Sequence, residues 1–362
     1  MTARLDTTAC PTPFWLPGGH AQTIYSAQYP RRQRISFVRH RVEMADGDFI
    51  DFDWAGPGLF PERLAHGQLV KADPGLHHTA AWRWLQKDDW STLPTQNTNA
   101  LILFHGLEGC SKSHYAQAIG QYFRARGWVV VIAHFRGCSG FPNRLARAYY
   151  SGDSNDVDFM LQTVRKHLPT AQWHAAGVSM GGNALLKYLA ESQHEASWIA
   201  SAAAISTPLD LVAAGETLSS GLWGRWLYSP YFLRSMRHKV LAKTRRFPGL
   251  IDFMRLSRIR TIREFDDLYT APMHGYRNAI DYWRQCSSKP LLGALKQPTL
   301  ILNARNDPFV PAASLPQPRE CSSTVLLHQP ATGGHVGFTT GAFPGHFRWL
   351  AQRLALFFQQ AR

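Results

Sequence analysis

The order of patterns along the 362-residue chain predicts an α/β fold: a mostly parallel central sheet flanked by helices, with a helical cap inserted before the last two core strands. Three observations predict it. From Ala100 to Ile205, strand-sized apolar runs alternate with helical spacing. That rhythm breaks at Ser206-Thr207-Pro208 and resumes at Pro298 to Asn303. The residues between carry mostly helical pattern. Strand alternating with helix at this spacing denotes βαβ units, whose parallel strands are covered on both faces. An insertion placed there lies over the carboxyl edge of the sheet, where open α/β sheets hold their sites.

Each element follows in turn. After an irregular start rich in Pro and Gly (Pro11 to Gly19), Arg34–Met44 and Asp48–Trp54 alternate apolar with polar residues around Ala45-Asp46-Gly47. Asp-Gly between alternating runs signals a hairpin. Ala55–Asn99, broken by Pro57, Pro61, Pro74 and Pro94, reads as a surface insertion. Ala100–Phe104 is a strand ending in His-Gly, Tyr115–Arg126 a helix, Trp128–His134 a strand and Asn155–His167 a helix. Trp173–Ala176 is a strand leading into Gly-Val-Ser-Met-Gly-Gly and the helix Asn183–Ala190, and Trp198–Ile205 is the next strand. Beyond the insertion come the strands Pro298–Asn303 and Ser323–His328 and an amphipathic helix, His346–Gln359. The whole, residues 1–362, reads as one domain with its cap at 208–290.

With 45% hydrophobic and 18% charged residues, the composition is that of a folded globular protein. No apolar run approaches the roughly 20 residues of a membrane-spanning helix. The five cysteines are widely spaced and contain no Cys-x-x-Cys pair, which argues against a disulfide scaffold or a zinc site. No secretory signal is read at Met1–Asp6, so a reduced, cytoplasmic protein is expected. The formal charge of +14 is uneven: Arg225–Arg263 holds nine Arg and two Lys against one acid, Asp252, interleaved with Trp226, Tyr228, Tyr231, Phe232 and Phe253. This reads as a basic, helical part of the cap. Contact with an anionic membrane and an ordinary solvated face are both open for it; no nucleic-acid signature accompanies it.

The chemistry centres on Gly177-Val178-Ser179-Met180-Gly181, set between a strand and a helix. A serine at so sharp a turn takes a strained backbone conformation and exposes its hydroxyl, and the glycines two residues either side make room. Ser179 is the candidate nucleophile. A serine nucleophile needs a base and the base an orienting acid, in the chain order Ser, Asp, His for this arrangement. Asp307 and His335 each follow a late strand, and His335 lies in a glycine-flanked loop. Asp210 is the competing acid and His346 the competing histidine. For the oxyanion, the N–H of Met180 and, from the loop His105-Gly-Leu-Glu-Gly, the N–H of Leu107 are the candidate donors. His105 reads as loop-shaping, and Cys110 and Cys138 as lining.

With these residues in this order the chain resembles the α/β-hydrolase superfamily. Its His105-Gly-Leu-Glu-Gly, His134-Phe-Arg-Gly-Cys-Ser-Gly, Asn143-Arg-Leu, Tyr150-Ser-Gly with Asp156, and Gly177-Val-Ser-Met-Gly-Gly-Asn are similar to the YheT-like carboxylesterases, relatives of ABHD-type lipid hydrolases and yeast medium-chain ester synthases. Gly19-His20-Ala21-Gln22-Thr23 resembles that group's N-terminal Pro-His-x-Gln-Thr, with Gly for Pro. The resemblance implies an α/β-hydrolase fold and a serine esterase with an apolar, capped acyl pocket, acting on small-molecule or lipid esters of short to medium chain without metal or organic cofactor. Acyl transfer to an alcohol, or a basic lipid- or nucleic-acid-binding surface, are the alternatives. Arg136–Gly140 reads as packing beneath the site.

Overall fold

The structure, a computed structural model, describes residues 2–28, 35–59, 82–94 and 98–361. Its strands are β1 (Arg4–Asp6), β2 (Phe37–Glu43), β3 (Phe49–Ala55), β4 (Trp82–Trp84), β5 (Asn99–Phe104), β6 (Val129–His134), β7 (Gln172–Val178), β8 (Ile199–Ile205), β9 (Thr299–Leu302) and β10 (Val325–His328). They form one sheet in the order β1-β10-β9-β8-β7-β5-β6-β3-β2-β4. Every pairing is parallel except those that β3 makes with β2 and β6. The hairpin expected at Ala45-Asp46-Gly47 is the β2–β3 pair.

The alternation of side chains along each strand feeds two cores. On β5, Ala100, Ile102 and Phe104 enter one cluster while Leu101 and Leu103 enter the other. On β6, Val129, Val131 and Ala133 part from Val130 and Ile132 in the same way. All ten are fully buried. This is why the strands read as continuous apolar runs, and each Val, Leu, Ile or Phe among them contributes about 1.5–3 kcal/mol of burial. The helices His114–Arg124, Ser154–His167, Met180–Glu191 and Arg348–Gln360 supply the covering layers.

Between β8 and β9 the chain forms a run of helices from Leu211 to Ala294, the cap foreseen before the last two core strands. Two lysines of its helix Ser229–Thr244 reach the core. Lys239 Nζ lies 2.8 Å from Glu108 Oε1. Lys243 Nζ donates to Asn143 Oδ1 (2.6 Å) and to the carbonyls of Leu145 and Arg147.

The cap also buries a carboxyl group. Asp266 accepts from Trp283 Nε1 at 2.9 Å, and burial pushes its pKa up to about 6. Burial and the neighbouring Asp156 push Asp153 up to about 6 as well. Between the ordinary carboxylate value and pH 6 the folded chain therefore binds protons that the unfolded chain releases, and stability falls as pH rises through that window. Asp266→Asn keeps an acceptor for Trp283 and removes the ionisation. Relative to the parent it is expected to be on the order of 2 kcal/mol more stable at pH 7.5 and unchanged at pH 4, read from urea unfolding midpoints.

Among the elements not foreseen are two edge strands and an N-terminal helix. β1 and β4 are three-residue strands at the two sheet edges, too short to show a period. The helix Gly19–Gln28 begins where the Pro- and Gly-rich start ends. Of the expected insertion at 55–99, residues 60–81 and 95–97 lie outside the described residues, and Trp82–Trp84 pairs with β2 as β4. Among the described residues no helix is long and apolar enough to cross a membrane.

Candidate active site

Ser179 stands between β7 and the helix Met180–Glu191 with φ 53° and ψ −123°, a region that non-glycine residues rarely occupy. Backbone packing holds it there. Its N–H donates to the Ile205 carbonyl at 2.8 Å, and its own carbonyl accepts from Gly182 N–H at 2.9 Å. A Cβ at Gly177 would lie 2.5 Å from the backbone of Gly181 and Gly182, and one at Gly181 would lie 2.4 Å from the His105 carbonyl oxygen. Both glycines are therefore required by close approach, as the motif implies.

His335 arrives from the loop after β10. Its Nε2 lies 3.0 Å from Ser179 Oγ and its Nδ1 lies 2.8 Å from Asp307 Oδ2. Asp307, in the loop after β9, is 5% exposed; its Oδ1 accepts the N–H groups of Phe309 (2.8 Å) and Val310 (3.2 Å), which fixes the carboxylate plane. The Phe309 ring packs against the imidazole at 4.2 Å. Because β7, β9 and β10 all run parallel, their carboxyl ends deliver all three side chains to one edge. Hydroxyl, imidazole and carboxylate joined in this order can move a proton off the serine as it attacks a carbonyl carbon.

The competing residues are engaged elsewhere. Asp210 caps the helix Leu211–Ser219 by accepting from Ala213 N–H. His346 Nδ1 lies 3.0 Å from Thr340 Oγ1.

Met180 is the first residue of its helix, where the backbone N–H has no intrahelical acceptor. Leu107 lies in the loop after β5, which passes close to the serine: a Cβ on Gly106 would sit 3.1 Å from Ser179 Cβ. The next residue, Glu108, has φ 55°, donates its N–H to Tyr149 Oη (2.9 Å) and pairs with Lys239 of the cap. His105 is fully buried, and its Nε2 accepts from Phe135 N–H, so Nδ1 carries the proton and donates to the Gly106 carbonyl. Burial, with His134 nearby, pushes it down to about 3. It shapes the loop as a neutral ring. Burial raises the thiols of Cys110 and Cys138, the latter to about 12, so neither is poised as a nucleophile.

Sequence reasoning gave the Gly19–Thr23 motif no task. Thr23 Oγ1 accepts the His335 N–H at 2.8 Å. Gln22, 2% exposed, accepts both Gly333 N–H and Asn306 Nδ2 on its Oε1, each at 3.0 Å. Asn306 Oδ1 in turn accepts Gly334 N–H. One turn of the helix Gly19–Gln28 thus ties the Asp307 loop to the His335 loop. The family-like motif was the available signal; its partners lie too far along the chain for local spacing to disclose.

The family model for the alpha/beta hydrolase fold matches residues 99–342. The Escherichia coli (strain K12) protein "Putative esterase YheT" is 34% identical over 340 residues, covering 92% of this chain and 88% of its own length. The phospholipase ABHD3 of Mus musculus is 32% identical over 332 residues, covering 91% of this chain and 73% of its own. Among solved structures, the Pyrococcus furiosus esterase Pf2001 matches with a TM-score of 0.52 at 14% identity, covering 99% of this chain and 97% of that one. That last likeness is one of fold.

Proposed function

Because the chain belongs to the α/β-hydrolase fold family, we propose that it is a serine hydrolase that cleaves carboxylic esters through an acyl-enzyme on Ser179. The observation that carries the reading is the unbroken chain of contacts from Ser179 Oγ through His335 to Asp307, on a strand–turn–helix elbow. As Oγ attacks the ester carbon, His335 Nε2 takes its proton. The carbonyl oxygen, now an oxyanion, accepts from the N–H groups of Met180 and Leu107. Collapse breaks the bond to the alkoxy oxygen, which leaves as the alcohol with the proton from His335. Water then attacks the acyl-enzyme, giving its proton to His335; collapse frees the acid and returns the proton to Ser179. Asp307 keeps the proton on Nδ1 and stabilises the imidazolium.

The relatives support a small-molecule or lipid ester as substrate; Phe309 packs on His335 and Phe232 on Phe309, which suits an apolar acyl group, and the reading takes that group as short to medium in chain length. The reading takes residues 208–290 as the cap of one domain in a reducing, cytoplasmic setting, which five free thiols support. A p-nitrophenyl ester series from acetate to laurate tests it, with products analysed in the presence and absence of added alcohol. Free acid as the main product supports hydrolysis; ester formation dominating over acid would assign acyl transfer instead. No turnover across the series, in folded protein that also resists fluorophosphonate, would overturn the reading.

The Thr23 contact gives a second test. Thr23→Val keeps the side-chain shape but leaves the His335 N–H without its acceptor. Loosening the base by this route is expected to lower kcat by about 10- to 100-fold with KM nearly unchanged, and Thr23→Ser should restore it. Full activity in Thr23→Val, with a loss in Thr23→Ser, would show that Thr23 matters only for packing.

A further inference from the structure

Large apolar side chains are exposed mainly in two stretches of the cap. Leu222, Trp223, Trp226, Leu227 and Tyr231 are 77, 51, 73, 40 and 68% exposed, and Phe253 and Met254 are 60 and 55% exposed. These are seven of the eleven exposed large hydrophobics among the described residues, so the concentration is not the scatter expected of a soluble surface. The opposite side of the same helical stretch is already used: Tyr228, Leu233, Met236 and Val240 are buried against the rest of the cap and the loop after β9. The segment is therefore apolar on both sides, and a solvated helical face would be polar on one of them.

Exposed arginines accompany both stretches. Arg225, Arg234, Arg255 and Arg258 have no carboxylate within ion-pair distance among the described residues, whereas Arg263 pairs with Glu216 and Lys239 with Glu108. Unpaired arginines among exposed tryptophan, tyrosine and leucine suit the boundary of an anionic bilayer, where rings settle at headgroup depth and guanidinium groups meet lipid phosphates. The patch also adjoins the site. The Trp223 ring stacks on His20 at 4.4 Å, His20 Nδ1 lies 2.8 Å from Tyr228 Oη, Tyr228 packs on Phe309 at 4.6 Å, and Phe309 packs on His335.

We propose that Leu222–Tyr231 forms a docking face for anionic lipid bilayers, and that it brings Ser179 to esters held in the membrane. The docking stands on the surface alone; the delivery of esters rests on the reading of Ser179 as nucleophile. A water-soluble ester and a membrane-embedded one then reach the same serine by different routes, and only the second depends on the patch.

The test uses the full chain with vesicles of phosphatidylcholine, alone or mixed with phosphatidylglycerol. Flotation is expected to show binding to the anionic vesicles that weakens as salt is raised, with a blue shift of tryptophan emission. Trp226→Ala/Tyr231→Ala and, separately, Arg225→Glu/Arg234→Glu are expected to weaken binding by about tenfold or more while leaving hydrolysis of a short soluble ester unchanged. Anionic vesicles left unbound by the parent protein, or bound equally by both variants, would overturn the proposal. So would a dimer in sedimentation that Trp226→Ala dissociates, since the face would then meet a second copy. Binding without any esterase activity would leave the docking standing and remove the hydrolase reading; activity without binding would do the reverse.

Discussion

Replacing Ser179 with alanine is expected to abolish ester turnover, lowering kcat by on the order of 10⁴- to 10⁶-fold, with fluorophosphonate labelling lost in parallel. The substitution is clean because alanine keeps the Cβ that packs near Gly106 and places no new atom against the elbow. The strain at φ 53° is borne by either residue, and the bond from residue 179 N–H to Ile205 does not involve the side chain. Unfolding midpoints are therefore expected to stay within about 0.5 kcal/mol of the parent. His335 and Asp307 remain paired at 2.8 Å, so any residual rate measures what the pair and the backbone amides do with water alone. Undiminished turnover in this variant would remove Ser179 from the mechanism, whatever its distance to His335.

Arg136→Met is expected to have the largest effect on stability, about 3–5 kcal/mol. Arg136 is 2% exposed and gathers three carboxylates: Asp156 through Nε and Nη2 at 2.7 and 2.8 Å, Asp48 at 3.0 Å and Asp46 at 2.8 Å. Without the guanidinium, Asp48 and Asp156 become buried charges with part of their compensation gone. Burial alone raises the Asp48 carboxyl, but its bonds from Asn143, Arg144 and Arg136 outweigh burial and hold it below the ordinary value. Its contribution is thus fully present above the ordinary carboxylate range and is lost as pH falls through the lower folded value. The deficit of Arg136→Met should accordingly be large at pH 7 and shrink toward pH 3 in urea titrations. A variant as stable as the parent but inactive on esters would instead assign Arg136 to substrate binding.

The parts of this molecule that were legible in the sequence are those whose cause is local. β5, β6 and β7 announce themselves because both faces are buried, and the elbow because Gly177 and Gly181 have no room for a side chain. His335 was legible from the glycines that let its loop turn back, and Asp307 from its place after β9. Deciding between Asp307 and Asp210 needed more, since both follow strands; space separates them, because Asp210 spends its carboxylate on a helix end. β1 went unread because three residues carry no period and their partners, Leu326 to His328, lie at the far end of the chain. Gln22 and Thr23 went unread for the same physical reason.

That long-range closure has a consequence for how the protein comes into being. Helix residues near position 22 and loop residues near position 334 are joined by Gln22 and Thr23, while β1 completes the sheet beside β10. Contacts of such sequence separation form late, after the shorter βαβ units have collapsed. During vectorial synthesis the elbow at Ser179 emerges well before the segment that supplies the imidazole, and the N-terminal helix waits for a partner not yet made. On the proposed reading, a nascent chain whose Ser179 turn has formed still lacks the histidine that would serve as its base, and activity is expected to follow the Gln22 and Thr23 contacts rather than precede them.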